Sequence, residues 1–561
     1  MVKLLMNKLI SIVTVLISFV FLSSCYDEKL LSLNEHSIVY CSESSPATFN
    51  PQLTLSNTAI DATSNQLYDK LIAYQGDGST LGPALAKSWH VSNDGKKITF
   101  YLRKHVTFHQ TAYFTPSRLL TADDVIFSFN RILDVNHPFH HVSGGTYPFF
   151  KNIDFSNLVQ KIEKINDHTV RFHLAYTDNS FLANLATDFA VILSAEYGKQ
   201  LTKYKTKHDI DIYPVGTGPF KLKEYRVGSF IRYYRHEQYW QKPTQIEQLV
   251  FDITSSNTGR LTKLLAKECD ISSNPIAHEI IHQRDDLTID SVTALDVSYF
   301  GFNMTRAPFD NKLVRQAISH AINKKALLDT IYQNKAELAN SILPSTSWAY
   351  DETVKEPVFN IALAKELLSK AGYGDGFTMD LWVMPEQKTY NPDPLTMAKL
   401  IQADLKKINI KVIIVSDKSD TFLHRLSAGE QQTFILGWSA EHSDPDAFFT
   451  PKLSCTSTNN HSRTFWCNEK YDNIIEKALQ TTNINQRKKY YAQAMAIVEQ
   501  EIPLIPIAHS KRYQARGENV QGKVLSSFRG VSFYHVVKNN DNVNVLHENK
   551  SQDTVNKAGN R

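Results

Sequence analysis

The sequence predicts an α/β protein with parallel strands, in a chain long enough for at least two domains, and three observations carry that expectation. Phe377-Thr-Met-Asp-Leu-Trp-Val383 alternates apolar and polar residues with period two, the pattern of a strand. Asp393 to Ile408 switches to helical spacing, with Met397, Ile401, Leu405 and Ile408 on one face, and Ile410 to Val415, Thr421 to Ala428 and Thr433 to Gly437 continue as strand, helix and strand. That order implies parallel strands joined by right-handed crossovers. The third observation is length, since 561 residues exceed what one hydrophobic core serves.

Taken in order, the chain opens with Lys3 and Lys8 around a short basic region, and Leu9 to Leu22 is almost wholly apolar. The run is too short for an ordinary spanning helix and is followed by Leu22-Ser-Ser-Cys25, a lipoprotein-type cleavage box. Residues 1–24 are therefore expected to be a signal peptide and Cys25 to carry lipid, in contrast to an ordinary secretory signal in which Cys25 plays no part. Removing the two lysines takes the formal charge from +4 to +2.

Tyr26 to Ser37 reads as a tether, Ile38-Val-Tyr40 as a strand and Ser64 to Ile72 as a helix. Trp89 to Leu102 reads as a hairpin, because Asp94-Gly95 is a strong turn signal and Ile98, Phe100 and Leu102 alternate after it. Thr121 opens a helix to Ile132, with acids in the first turn. Thr169 to Leu174 alternates again. Pro214-Val-Gly216-Thr-Gly218-Pro219 reads as a turn or crossing segment and lacks the lysine and spacing of a phosphate loop.

Further on, Val314, Ala317, Ile318, Ala321 and Ile322 form one apolar helix face continued by Leu328 and Ile331. Asn360 caps a helix that stops near Gly372. Asp393 and Pro394 open the next as N-cap and first residue. Helices Glu469 to Gln480 and Asn485 to Gln500 follow. Ile502 to Ala508 must be extended, because Pro503 and Pro506 forbid a helix. Asn539 to Arg561 is polar and reads as a disordered tail.

The 42% hydrophobic and 21% charged fractions are those of an ordinary globular protein, and a net charge of +4 over this length argues against nucleic acid. If Cys25 carries lipid, Cys41, Cys269, Cys455 and Cys467 remain, an even set that in an oxidising compartment suggests two disulfides with three possible pairings. The polar loop Thr456 to Trp466 between Cys455 and Cys467 favours a local pair, which leaves Cys41 for Cys269. A four-cysteine zinc site lacks the usual close spacings.

Ligands of a parallel sheet sit beyond the carboxyl ends of its strands. Two segments fall there: Pro385 to Tyr390, carrying Lys388 and Tyr390, and Trp438 to Phe449, carrying Trp438, Glu441, Asp444 and Asp446. A cation on one, carboxylates on the other and aromatics on both suit a ligand with charged ends and an apolar body. Asp444-Pro-Asp446 is also turn chemistry, Lys388 an ordinary loop lysine and Trp438 a packing residue.

His278-Glu279-Ile-Ile-His282 matches the zinc-peptidase pattern, in which two histidines one turn apart bind metal and the glutamate acts as base. It follows Pro275 closely and lacks the glycine and third histidine of the longer form. His105, His109, His140 and His141 read as scattered surface histidines, and no glycine-framed serine supports a hydrolase.

Several stretches together resemble the family 5 extracellular solute-binding proteins, the peptide- and nickel-binding receptors of ABC importers. They are Tyr40 to Pro51, Leu85-Ala-Lys-Ser-Trp89, Thr121 to Val125, Pro214 to Pro219, Pro308 to Ala317 and Gly437 to Asp446. Phe114 to Arg118, Thr258 to Leu265, Ser347 to Tyr350 and the Cys455–Cys467 region are similar to the Sap-type peptide-transport members.

The resemblance implies a two-lobed clamshell whose first lobe is discontinuous: 25–68, 214–296 and 511–540, with 69–213 as an inserted subdomain, 297–510 as the second lobe and 541–561 as the tail. It implies disulfides Cys41–Cys269 and Cys455–Cys467, a monomer without resident cofactor or metal, and delivery of peptide from the periplasm to an inner-membrane permease with its ATPase subunits. For Sap-type members the implied cargo includes cationic host-defence peptides, with resistance to them, and haem. In dipeptide-binding members an aspartate at the position of Glu441 binds the ligand's amino group, and an arginine in the loop holding Lys388 and Tyr390 binds its carboxylate. Charge signs are kept here, but lysine lacks the arginine's fork and glutamate reaches one methylene further. The expected reading is a receptor and not an enzyme, with a zinc peptidase using His278, Glu279 and His282 as the alternative.

Overall fold

The computed structural model describes residues 36–75, 80–355, 357–417, 419–455, 462–528 and 530–539. The expected signal peptide, the Cys25 lipidation site and the tail 541–561 lie outside them. The fold is mixed α/β in two lobes. Among the described residues, ten strands follow one another in hydrogen-bonded order across the molecule, and two more pair with one of the ten.

That one is Leu504–Gly517, the strand both lobes share. Its first half pairs antiparallel with Asp296–Phe302 and with Ala336–Leu338. Its second half pairs with Ile271–Ser273 and with Leu287–Thr293, where Thr293 lies opposite Lys511. Pro506 has no N–H to give the ladder, and the register against Asp296–Phe302 shifts beside it, between Ser298 and Tyr299. The extended reading of Ile502 to Ala508 holds from Leu504 onward, whereas Ile502 caps the preceding helix in the left-handed region at φ 48°.

On one side of this strand, Thr378–Val383 lies between Lys411–Ser416 and Thr433–Ser439 and runs parallel to both. The strand–helix order had implied that pairing. On the other side, Ser37–Ser42 runs parallel to Gln248–Ile253 and Ile271–Ser273. Cys41 and Cys269 are joined there, with Cα atoms 5.8 Å apart, and Cys455 is joined to Cys467 at 4.4 Å.

The chain passes from one half of this sheet to the other at adjacent points, from Thr293 to Asp296 and from Ser510 to Lys511. Asp296 pins them together. Its carboxylate accepts from Ser510 N–H at 2.8 Å and from the Ser510 hydroxyl, its carbonyl accepts from His509 Nδ1, and Ala294 N–H donates to Ser510 O at 2.9 Å.

Each lobe has its own apolar interior. Ile38, Tyr40, Phe220, Leu249, Phe251 and Phe533 centre one, and a separate core from Ile60 to Val215 contains Phe100, Phe129, Phe155 and Phe172. Beyond the hinge, two clusters lie on the sheet, one around Phe302, Ile318, Leu381 and Ile401, the other around Phe434, Phe449, Tyr471 and Tyr491.

Two local expectations are corrected. The helix read at Ser64 to Ile72 is Asn57–Leu67, and Ile72–Gln75 is a strand. Gly218 N–H takes the Leu67 carbonyl at 3.1 Å, ending the helix, and a Cβ at Gly216 or Gly218 would overlap the Leu67 backbone. The apolar face from Val314 to Ile331 divides into helices Lys312–Ala321 and Lys324–Ile331, because Asn323 caps the second and its N–H donates to Asp404 at 2.9 Å.

Candidate ligand-binding site

Beside the hinge, between the lobes, lies a cavity of about 230 Å³. Tyr40, Glu43 and Asp61 line it from one lobe, Lys388, Tyr390 and Ser439 from the other, and Asp296 and Arg512 from the hinge. Tyr390 follows the strand Thr378–Val383 and Ser439 ends the strand Thr433–Ser439, so the cavity borders the carboxyl ends of parallel strands, where α/β sheets hold ligands.

The loop that presents Lys388 and Tyr390 is closed by reciprocal backbone bonds. Lys388 N–H donates to Asn391 O at 3.0 Å and Asn391 N–H to Lys388 O at 2.9 Å. Tyr332 O–H donates to the Tyr390 carbonyl at 2.7 Å and is itself bonded to Ser298 Oγ at 2.8 Å. The Tyr390 ring lies over Gly437, where any Cβ would overlap it. Lys388 remains exposed.

Glu441 lies in a neighbouring chamber of about 470 Å³, together with Tyr74, Trp240 and Tyr534. In its wall Asp69 accepts from Thr217 Oγ1 at 2.8 Å, Tyr239 O–H at 3.0 Å and Trp240 Nε1 at 2.9 Å, and burial raises its carboxyl to about 6. Leu525 and Phe528 border both chambers, and the Phe528 ring stacks on Tyr74 at 4.6 Å. The structure thus brings Lys388 and Tyr390 together and sets Glu441 one chamber away.

Trp438, Asp444 and Asp446 line neither chamber. Trp438 Nε1 donates to Ala447 O at 2.7 Å, and Lys452 Nζ sits 3.7 Å from its ring centroid. Asp444 is buried in a two-pronged pair with Arg487 at 2.8 and 2.9 Å, with the Tyr491 hydroxyl at 3.4 Å. Asp446 begins the helix Asp446–Leu453 and accepts from Thr450 Oγ1. The indole N–H and both carboxylates thus have hydrogen-bond partners within their own lobe.

Asp61 and Arg512 were not among the residues expected from sequence. Asp61 lies on Asn57–Leu67, is 9% exposed, and its Oδ1 is buried without a hydrogen-bond partner among the described residues. Burial raises its carboxyl to about 7; Arg512 opposes the rise, and Glu43 and Asp188 add to it. Arg512 spends its Nη1 on the carbonyls of Ser526 at 2.9 Å, Phe528, and Gly530 at 3.4 Å. The one signal for Asp61 was an acid among Ala59, Ile60 and Ala62, which the misplaced helix start concealed.

His278–His282 is a five-residue helix after the strand Ile271–Ser273. His278 Nε2 donates to Pro275 O at 3.0 Å, and among the described residues no group of three His, Cys, Asp or Glu is placed to hold a metal. The donor set does not fit a zinc centre. Of the histidines read as surface residues, His105 and His141 are exposed. His109 and His140 are instead buried, bonded to Gly218 O at 2.9 Å and Arg131 O at 2.8 Å.

A profile described as Bacterial extracellular solute-binding proteins, family 5 Middle, matches residues 80–460. The chain is 39% identical to heme-binding protein A of Haemophilus influenzae, covering 90% of this chain and 93% of that protein. It is 40% identical to the probable ABC transporter periplasmic-binding protein SapA of Escherichia coli, covering 90% and 93%. Among solved structures, a Pseudoalteromonas dipeptide binding protein in complex with Met-Leu shares 44% identity at a TM-score of 0.77, covering 90% of this chain and 100% of that one. HbpA2 from Haemophilus parasuis shares 35% at a TM-score of 0.86, with the same coverage. With a hinged pair of lobes, a cavity at the strand ends and a profile match over most of its length, the chain belongs to the family 5 bacterial extracellular solute-binding proteins.

Proposed function

We propose that this chain is the substrate-binding receptor of an ABC importer, capturing peptides in the periplasm and delivering them to an inner-membrane permease with its ATPase subunits. The observation that carries the reading is the cavity lined by both lobes beside a two-segment hinge. A ligand that touches both walls only when they meet favours closure by its extra contacts in that state. No bond need be broken, so the reading requires no catalytic group.

In this reading lobe I comprises 25–68, 214–296 and 511–540, the inserted subdomain 69–213 and lobe II 297–510, and the receptor is a monomer tethered through lipid on Cys25. Glu441 meets the peptide's amino end, Lys388 its carboxylate, and Tyr390 a side chain. Similarity to a dipeptide binding protein holding Met-Leu supports peptide as cargo. The relatives named for haem and for SapA make haem and host-defence peptides the competing cargoes.

Native mass spectrometry of gently purified mature protein tests this. Bound, uncleaved peptide that survives chelator is the expected result. A tightly held haem in its place overturns the peptide assignment, and stoichiometric zinc with peptide cleavage lost in Glu279→Gln overturns the receptor.

A further inference from the structure

We infer that Asp61 is a cation subsite of the inter-lobe cavity, taking the ammonium or guanidinium of a basic side chain in the cargo. The inference rests on the receptor reading above and adds a charge preference to it. Asp61 lines the cavity, yet among the described residues its buried Oδ1 has no donor. A buried carboxylate is costly unless paired and hydrogen-bonded. The local cation does not meet that need, because Arg512 turns Nη1 to the carbonyls of Ser526, Phe528 and Gly530, and no hydrogen bond or ion pair joins it to Asp61 among the described residues.

The other groups facing Asp61 sharpen the demand. Glu43 and Asp188 add negative potential, and the Tyr40 hydroxyl, itself pushed up by burial and by Asp61, adds no positive charge. Asp188 is already paired with Lys70 at 3.1 Å, and Glu43 accepts from Asn274 Nδ2, which leaves Asp61 as the acid in need of a partner. An entering cation supplies a donor and a charge together, and a charge-assisted bond in a closed site is among the stronger polar contacts. With its carboxyl near 7, Asp61 would also release a proton as the cation enters.

The test is calorimetry of the full mature chain at pH 7 with Ala-Lys, Ala-Lys-Ala and Ala-Lys-Ala-Ala-Ala, each beside its norleucine counterpart, which keeps the chain and loses the ammonium. The expected result is binding favouring lysine by more than tenfold, a preference erased in Asp61→Asn and kept in Asp61→Glu. Repeating the wild-type titrations in buffers of different ionisation enthalpy is expected to reveal proton release with lysine and not with norleucine, a readout that needs no variant to fold. Equal binding of both series, or a preference that survives Asp61→Asn, overturns the Asp61 assignment and leaves the receptor standing. Absence of binding by every peptide counts against the peptide reading itself.

Discussion

The ring of Tyr390 fills the space where residue 437 would carry a side chain, so Gly437 and Tyr390 are a matched pair on adjoining strand ends. Glycine is needed at 437 for close approach rather than for backbone freedom. Gly437→Ala must push the ring away or move the Lys388–Asn391 loop, whose reciprocal hydrogen bonds resist movement. Overpacking of this kind costs about 1 to 3 kcal/mol. Since Tyr390 lines the cavity, we expect at least a tenfold loss of peptide affinity by calorimetry, and Gly437→Ala with Tyr390→Ala should fold better than Gly437→Ala alone. Unchanged affinity in Gly437→Ala would remove Tyr390 from the ligand's surroundings.

Asp444 and Arg487 join the start of the helix Asp446–Leu453 to the helix Ile484–Glu501. Removing one partner of a buried pair leaves an uncompensated charge and costs about 3 to 5 kcal/mol. Asp444→Ala should therefore lower stability by that amount in urea unfolding, whereas Asp444→Leu with Arg487→Met should recover most of it. If Asp444→Ala melts like wild type but loses ligand, Asp444 is a binding residue after all.

For Glu441 the expected readout is ligand affinity. Its replacement by alanine should weaken peptide binding by about 1 to 3 kcal/mol, the loss for a charge-assisted contact. Because Glu441 and Lys388 sit in chambers parted by Leu525 and Phe528, the loss should grow with peptides long enough to reach both. A penalty that is constant with length would place the peptide's amino end elsewhere.

The contrast between these residues marks how far sequence reasoning reached. Period-two and helical patterns located the parallel strands Thr378–Val383, Lys411–Ser416 and Thr433–Ser439, because local alternation and a one-sided apolar face report burial directly. The Lys388–Tyr390 segment followed from the rule that ligands meet strand ends. What could not be read was which polar groups the lobe had already used: nothing near Asp444 in sequence announces Arg487, 43 residues away. Nor could Asp61 be found, because its isolation depends on where Arg512, from the opposite end of the chain, spends its donors. The end of its helix was misplaced too, since the Leu67 carbonyl finds its donor in Gly218 N–H, far along the chain.

Asp446 makes a prediction about pH. Burial, reinforced by the nearby charge of Asp178, raises its carboxyl to about 8, and Asp178 is raised as well, chiefly by burial. Asp178 precedes Asn179, whose backbone N–H and Nδ2 both donate to Leu479 O, at 2.9 and 2.7 Å, so 178–179 is held against the end of the helix Glu469–Gln480. In the unfolded chain both groups titrate near 4. Between about pH 4 and pH 8 the folded protein therefore holds a proton that the unfolded chain releases, and stability falls as pH rises through that window. Asp446→Asn keeps an acceptor for Thr450 and abolishes the titration. Thermal melts at pH 5, 6, 7 and 8 should show wild type losing stability relative to Asp446→Asn at each step, with the gap widest at pH 8. Parallel profiles across that range would mean that the Asp446 carboxyl titrates in the folded protein as it does in the unfolded chain.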